Sequence, residues 1–513
     1  MAAIPDYEEL AKDINLDDVT SCRSNTNILR RLRDGDIIEG LYITMDGEGH
    51  TTIADTSRFS VGEGDDLGWL GHFIGKSDSI EYLRIWYLPD RRYQTNIFFE
   101  GMSQNRSIKD LTIYVDIGAV GWTRLGCFFK NNRNFSHFEV RDHVIVNESA
   151  QNLALALGQM NDNFLKDLRI VDTEISDEGF VPIAAAIESQ PQLETLYLYT
   201  NNIGRSSCVA LGNSLRSWPA SNKLETLYLD NNEIDDQGLQ ALSEGLMNCR
   251  RLDTIYLNDN SSITAAGLRH LSPLLQSKAH CFLDVLRVTR INWGDDGAII
   301  LAEGLRGNES VKELRFRPST AGMTSTGWSA FSKLLCDTST INSIYFSNHM
   351  LERIGCCDYE ETPEDIESYL RANHFARTHA VIYKILHSHP DLDMKPFFKL
   401  KMKFLPLVIS WFERVVIIEE ELIEDDLIEE SERSCQSRKL SALFKFVRGM
   451  PALTADGYWE GRLIEIEARK RGIADERRRL DDEERTLKFE EQIALERSRP
   501  MDEANRNKRT RYE

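Results

Sequence analysis

The first two thirds of the chain repeat one short pattern of apolar and polar positions. An apolar residue is followed by two others, an apolar residue, one other and a final apolar residue; Leu193–Leu198, Leu224–Leu229 and Leu252–Leu257 are the clearest copies. The frame starts eleven times, at Ile38, Ile80, Ile108, Phe135, Leu165, Leu193, Leu224, Leu252, Leu283, Val311 and Ile341. After a first step of 42 residues, the steps are 27 to 31 residues long, which indicates an internal repeat.

Each frame predicts a short β-strand, because alternation of period two sends its apolar residues to one face. Between frames the apolar spacing is that of an amphipathic helix, as in Leu239, Leu242 and Leu246. Asparagines at the turns can hydrogen-bond the backbone of neighbouring turns; they are Asn201, Asn232 and Asn260. Glycine recurs at one helical position, which indicates either backbone strain or close approach of a helix to a strand; the series is Gly179, Gly238, Gly267, Gly297 and Gly327, with Ser207 in the missing place.

The segment LETLYLDNNEIDDQGLQALSEGL (224–246) resembles the ribonuclease-inhibitor-like subfamily of leucine-rich repeats. The resemblance is strong from about Leu165 to Leu335 and weaker from Ile38 to Val140. It implies an α/β solenoid, a horseshoe with a parallel inner sheet and outer helices.

We expect four regions along the chain. They are an N-terminal cap (1–37), a solenoid of about eleven repeats (38–350), a helical C-terminal subdomain (351–456) and a charged tail that is helical or disordered (457–513). The stretch Gly47–Gly64 is rich in Gly, Asp and Thr and is expected to be a surface loop. With HPDLDMKPFFKLKMKFLPLVISWF and SALFKFVRGMPAL after such an array, the chain also resembles leucine-rich-repeat proteins of diatoms and related algae. This resemblance supports the architecture and says little about activity.

The charge is strongly negative, −21 from 82 acids and 61 bases, and no basic stripe is present. Nucleic acid and anionic membrane are therefore not expected as partners. The run Glu419–Glu432 holds nine acids and no base, which fits either a solvated segment or a docking element for a basic partner. The tail pairs charges at i,i+4, as in Glu484 with Lys488, and builds only half of a coiled-coil seam. We expect one solvated helix, with weak pairing as the alternative, and so a monomer or a weak oligomer through the tail.

Nothing in the sequence predicts secretion or catalysis. The start, MAAIPDYEEL, lacks an apolar signal region, and the nine cysteines follow no disulfide or metal spacing. Cytosol or nucleus is therefore the expected compartment. No Walker-type loop, HExxH, GxSxG or kinase set occurs, and His374 and His379 do not share a helix face. We predict no enzyme activity, no metal and no cofactor.

The residues between the apolar frame positions form the candidate site. The central column is the residue before the last apolar position of each frame, and the flanking column is the residue after that position. The candidates in these columns are Arg84, Trp86, Arg169, Tyr197, Tyr199, Tyr228, Tyr256, Arg287, Arg315, Arg317 and Tyr345. Tyr, Trp and Arg are enriched at protein-binding hot spots, whereas tyrosine is also a good strand residue that stacks on its neighbours.

Two functional hypotheses follow. The first is a non-enzymatic recognition or scaffold protein that binds another protein, of a kind the sequence does not identify, on the concave face. The second is a regulator of an enzyme, since Ran GTPase-activating proteins are similar in outline, with a ribonuclease-inhibitor-like array followed by an acidic stretch. No catalytic residue of that family can be assigned here by motif.

Overall fold

The computed structural model describes residues 6–45, 57–62, 66–89, 92–160, 165–276, 282–291, 293–317, 321–355, 362–374 and 377–388, with Glu484, Arg485 and Lys488. The chain divides into two compact units, Met1–Ile385 and Leu386–Glu513. The boundaries of the four regions stay predictions. No helix in the described ranges is long and apolar enough to cross a membrane.

One sheet of twelve parallel strands forms the first unit, in the order β12-β11-β10-β9-β8-β7-β6-β5-β4-β3-β1-β2. The strands are β1 Gly40–Met45, β2 Arg58–Val61, β3 Tyr82–Ile85, β4 Asp110–Ile113, β5 His137–Arg141, β6 Asp167–Val171, β7 Thr195–Tyr197, β8 Thr226–Tyr228, β9 Thr254–Tyr256, β10 Val285–Arg287, β11 Glu313–Arg315 and β12 Arg353–Ile354. From β3 onward each strand pairs with the next one along the chain, as stacked β–α units require.

Helices connect the strands. They are α1 Tyr7–Leu10, α2 Arg23–Asp34, α3 Asp66–Lys76, α4 Arg92–Met102, α5 Gly118–Asn131, α6 Asn147–Leu157, α7 Asp177–Ile187, α8 Arg205–Ser217, α9 Asp236–Leu246, α10 Ala265–Arg269, α11 Ser272–Gln276, α12 Gly294–Gly304, α13 Ser325–Leu335, α14 Ile341–Tyr345, α15 Glu364–Asn373 and α16 Arg377–Ser388. Every connection from β3 to β12 contains at least one helix. The predicted α/β solenoid is confirmed.

An asparagine holds the turn after each of the strands β7, β8 and β9, as the sequence predicts. Asn232 Nδ2 donates to the carbonyls of Leu198 (2.7 Å) and Leu229 (3.1 Å), and its Oδ1 accepts from the amide of Ile203 (3.1 Å). Asn201 and Asn260 repeat this arrangement one unit to either side. A buried amide therefore satisfies backbone groups that the bend would leave without partners.

The recurring helical glycine marks a close contact between successive helices. Asp236, at the start of α9, accepts hydrogen bonds from the amide and the hydroxyl of Thr264, both at 2.7 Å. A Cβ on Gly267 would lie 3.0 Å from the carboxyl carbon and 3.1 Å from the Cα of Asp236. The close approach at this position is between two helices and not between a helix and a strand, because the carboxylate at the start of α9 reaches the beginning of α10.

The eleventh predicted frame is wrong. Ile341–Tyr345 forms α14 instead of a strand, because the side chain of Thr340 accepts a hydrogen bond from the amide of Ser343 (3.0 Å) and caps a helix. The last strand is β12, and it follows the buried Leu351. Its frame ends early because Gly355, with φ at 90°, turns the chain.

The predicted loop Gly47–Gly64 contains a strand. Its residues Arg58–Val61 form β2, which pairs with β1 and buries Phe59 and Val61. The outer edge of β2 is covered by α2, where Asn25 Nδ2 donates to the carbonyl of Ser60 (2.7 Å) and Asn25 Oδ1 accepts from the amide of Ser60 (2.9 Å). One amide side chain thus replaces part of a neighbouring strand.

The last repeat is held by a lysine that is entirely buried. Lys384 Nζ on α16 has three hydrogens for four partners within hydrogen-bond distance: the carbonyls of Leu335 (2.8 Å) and Asn348 (3.1 Å), Asn373 Oδ1 (2.7 Å) and His349 Nδ1 (3.2 Å). Burial lowers the pKa of Lys384 to about 7. The same cause, followed by the charge of Lys384, lowers the pKa of His349 to about 4.

The sequence predicts helix near Asp365–Leu370 and Val381–Leu386, and α15 and α16 confirm both. The ion pair of Glu484 with Lys488 is also confirmed, at 2.7 Å. The acidic run Glu419–Glu432 and the other predictions for the tail lie outside the described residues.

Candidate functional site

The central column is a continuous row across the sheet. Strand registers align Tyr42, Arg84, Thr112, Glu139, Arg169, Tyr197, Tyr228, Tyr256, Arg287 and Arg315, each beside the next. The residues before and after each member point the other way and are buried, for example Leu196 and Leu198 around Tyr197. We call the side of the sheet that carries this row the open face. Tyr345 is not part of the row, because it lies at the end of α14, where 54% of its surface is exposed.

Five members of the row form one stack. The rings of Tyr197 and Tyr228 lie 3.9 Å apart at 9°, and those of Tyr228 and Tyr256 lie 4.0 Å apart at 17°. The guanidinium of Arg169 lies 4.4 Å from the ring centre of Tyr197, and that of Arg287 lies 4.8 Å from the ring centre of Tyr256. The spacing follows from the strands, since neighbouring strands lie about 4.8 Å apart. Each cation–π contact contributes roughly 0.5–2 kcal/mol.

The stack occupies the ring faces and leaves the ring edges available. Burial, together with hydrogen bonds between the hydroxyls, raises the pKa of Tyr228 and raises that of Tyr256 to about 12. The phenols are therefore neutral at physiological pH and can both donate and accept hydrogen bonds.

Carboxylates of the sheet hold most of the column's arginines. Arg169 makes two hydrogen bonds to Asp167 (2.8 and 2.7 Å), and Arg84 makes two to Asp110 (2.8 and 2.7 Å). Arg315 donates to Glu313 at 3.0 Å. Asp167 and Glu313 precede their arginines by two positions on the same strand, so both side chains point to the open face. Neither acid is among the residues predicted from the sequence, although its place two positions before an arginine on the same strand is visible there.

The flanking column forms a second aromatic group. The ring of Trp86 lies 5.8 Å from that of Tyr42 and 5.9 Å from that of Tyr114, both edge to face. Arg141 lies over Tyr114 at 5.7 Å. Tyr199 belongs to the same column but is 44% exposed. Arg317 follows β11 at the far end of this column.

Asp230 lies in the flanking column beside the tyrosine stack. Its Oδ1 accepts the amide hydrogen of Asn258 at 2.7 Å. Burial raises the pKa of its carboxyl from 3.8 to about 6, and Arg287 opposes this change. At pH 7 the ionised carboxylate of Asp230 is therefore less stable in the folded protein than in the unfolded chain.

We expect Asp230→Asn to increase the free energy of unfolding at pH 7 by about 1–2 kcal/mol. Between pH 3.8 and 6 the Asp230 carboxyl is protonated in a larger fraction of folded molecules than of unfolded ones. Stability therefore falls as the pH rises through this range, and the gain from the amide should disappear near pH 4. Urea unfolding at several pH values tests this, with the exposed Glu233→Gln as control. A gain that is the same at pH 4 and pH 7 contradicts it.

A comparison with known families identifies the repeat. A family model described as Leucine Rich repeat matches residues 220–243, which contain β8 and the start of α9. The match places a leucine-rich repeat at this point of the chain, and the twelve parallel strands with their helices have the architecture of an array of such repeats.

The chain is also similar to individual proteins. One is the mouse protein "NACHT, LRR and PYD domains-containing protein 5", which is 24% identical over 304 residues, 58% of this chain and 25% of the mouse protein. The chain thus spans about a quarter of the length of this relative. A chain in the crystal structure of the Rad7 and Elc1 complex in yeast aligns with a TM-score of 0.31 and 14% identity, covering 52% of this chain and 69% of that one.

Proposed function

We propose that this protein is a non-enzymatic recognition or scaffold protein that binds a partner protein on the open face of its solenoid. Arrays of stacked repeats use this face as an extended binding surface. The observation that carries the proposal is the stack of three tyrosines between Arg169 and Arg287.

The composition of the stack supports binding of a protein. Tyrosine and arginine are the residues enriched at the centres of protein interfaces, where truncation of one hot-spot residue costs about 2 kcal/mol or more. The stack and the carboxylate pairs also hold these side chains in place. These side chains would therefore lose little conformational entropy when a partner binds.

We expect the combined change Tyr197→Ala, Tyr228→Ala and Tyr256→Ala to weaken partner binding at least about 100-fold. Affinity capture from native lysate, with the wild type beside this triple variant and read by mass spectrometry, identifies the partner. Titration of the purified partner then measures the loss. Tyr114→Ala, an aromatic truncation on the same face but outside the stack, is the matched control.

A second variant separates binding from stability. The three changes to phenylalanine keep the rings and remove the hydroxyls, so binding should fall while the melting temperature stays nearly unchanged. The proposal is wrong if the alanine variant, still folded, captures every partner as the wild type does.

A further inference from the structure

The arginine at one end of the stack differs from the others in the column. Among the described residues, the guanidinium of Arg287 has no carboxylate within ion-pair distance, and its Nε is buried without a hydrogen-bond partner. Arg84, Arg169 and Arg315 are each held by a carboxylate of the sheet.

Two features explain the difference: the residue two positions before Arg287 on β10, and Glu313 on the next strand. Glu313 occupies the place that Asp110 has beside Arg84, but it pairs with Arg315 and Arg353. The residue two before Arg169 is Asp167 and the residue two before Arg315 is Glu313, but the residue two before Arg287 is Val285. The acid that the strand geometry would bring beside the guanidinium is therefore replaced by an apolar side chain. Asp230 acts on Arg287 only through its charge, and its Oδ1 is engaged by the amide of Asn258.

Acidic side chains at the neighbouring edge of the sheet are already engaged. In the turns before β7 to β10, Glu194 pairs with Lys166 (3.3 Å), Glu225 with Arg251, and Asp284 with Lys312 (3.0 Å). Asp253 accepts the hydroxyl hydrogen of Thr254 at 2.9 Å. These acids therefore do not compensate Arg287.

The open face has the opposite charge from the chain as a whole. We call the open-face residues that lie two positions before the central column the leading column. Across the three columns the arginines are Arg58, Arg84, Arg141, Arg169, Arg287, Arg315, Arg317 and Arg353. The acids are Asp110, Glu139, Asp167, Asp230 and Glu313. Eight positive and five negative side chains give +3, against −21 for the full sequence.

We propose that Arg287 receives a carboxylate of the partner, so that the open face selects an acidic segment of another protein. This inference rests on the proposed function. A guanidinium binds a carboxylate through two parallel charge-assisted hydrogen bonds, and Tyr256 holds the guanidinium of Arg287 in a stacked position at 4.8 Å. The single positive charge of Arg287 balances one carboxylate, whereas a phosphate near −2 would need a second cation beside it. Stacking of nucleic-acid bases requires free ring faces, and here the rings and the two arginines cover one another.

A peptide library displayed on phage tests this chemistry without knowledge of the partner. Peptides are selected on the full chain, and those that lose binding to the triple tyrosine→alanine variant are kept. We expect these peptides to share an Asp or Glu at one position. Changing that residue to its amide should weaken binding about 10- to 100-fold to the wild type, and Arg287→Gln should weaken binding of the acidic peptide by the same factor.

The decisive measurement combines the amide peptide with the Arg287→Gln variant. The amide peptide should bind Arg287→Gln no more weakly than it binds the wild type, because both changes remove the same contact. Arg287→Lys should recover only part of the affinity, since an ammonium lacks the paired donors. Arg216→Gln, which removes an exposed guanidinium on α8 already held by Glu244 on α9 and lies outside the open-face columns, is the control and should change the affinity little.

Other results assign the site differently. If the selected peptides depend on the tyrosines but share no acidic residue, the role of Arg287 is wrong and the proposed function still stands. If no selected peptide depends on the tyrosines, the proposed function fails, and the inference fails with it. Binding of a labelled oligothymidine that Arg287→Gln abolishes would assign this face to nucleic acid and overturn the inference.

Discussion

Gly245→Ala is expected to lower the free energy of unfolding by about 2–3 kcal/mol, although alanine is the better helix former by about 1 kcal/mol. Gly245 on α9 lies against Gly212 on α8 at the closest contact of the two helices. A Cβ at position 245 would lie 2.7 Å from the Cα and 2.9 Å from the carbonyl carbon of Gly212. Backbone atoms cannot move aside as the end of a side chain can, so the helices must separate.

Gly304→Ala on α12 is the matched control. There the nearest atom is the end of the Leu275 side chain, at 3.3 Å, which can rotate away, so the change should be neutral or slightly stabilising. Chemical denaturation followed by tryptophan fluorescence compares the two, since the buried Trp218 directly follows α8. Equal effects of the two changes would show that the contact between Gly212 and Gly245 is not limiting.

Lys384→Met is expected to open the C-terminal end of the solenoid, with a local loss of about 2–4 kcal/mol. Methionine fills a similar volume but donates no hydrogen bond. The carbonyls of Leu335 and Asn348 and the side-chain oxygen of Asn373 would then be buried without their donor. The loss of these bonds should exceed the gain from removing a buried charge.

Hydrogen exchange measures this loss where it occurs. Amides of α15 and α16 should exchange faster in Lys384→Met, while those of α8 and α9 stay protected, because each repeat contacts mainly its neighbours. Lys333→Met, an exposed lysine on α13, is the control. Unchanged protection of α15 and α16 would contradict a structural role for Lys384.

Much of the repeat architecture is local and could be predicted from the sequence. Strand and helix are encoded by apolar periods of two and 3.6, so ten of the eleven frames fall on strands and the central column follows from them. The eleventh frame was wrong because Ile341–Tyr345 shows the same apolar spacing as a strand. The cap at Thr340 makes this segment a helix, and the strand forms later, after Leu351. The strand β2 was missed because its alternation is only four residues long.

The sequence by itself determined the solenoid, its asparagine turns and the row of tyrosines and arginines, because these depend on periodicity within one repeat. Only the tertiary structure decided that Arg84 finds its carboxylate on the next strand, that Gly212 meets Gly245 and that Lys384 is buried among four acceptors. These contacts join residues on two strands, on two helices or at the end of the array. Their energies depend on distance and burial, which arise only when the repeats stack.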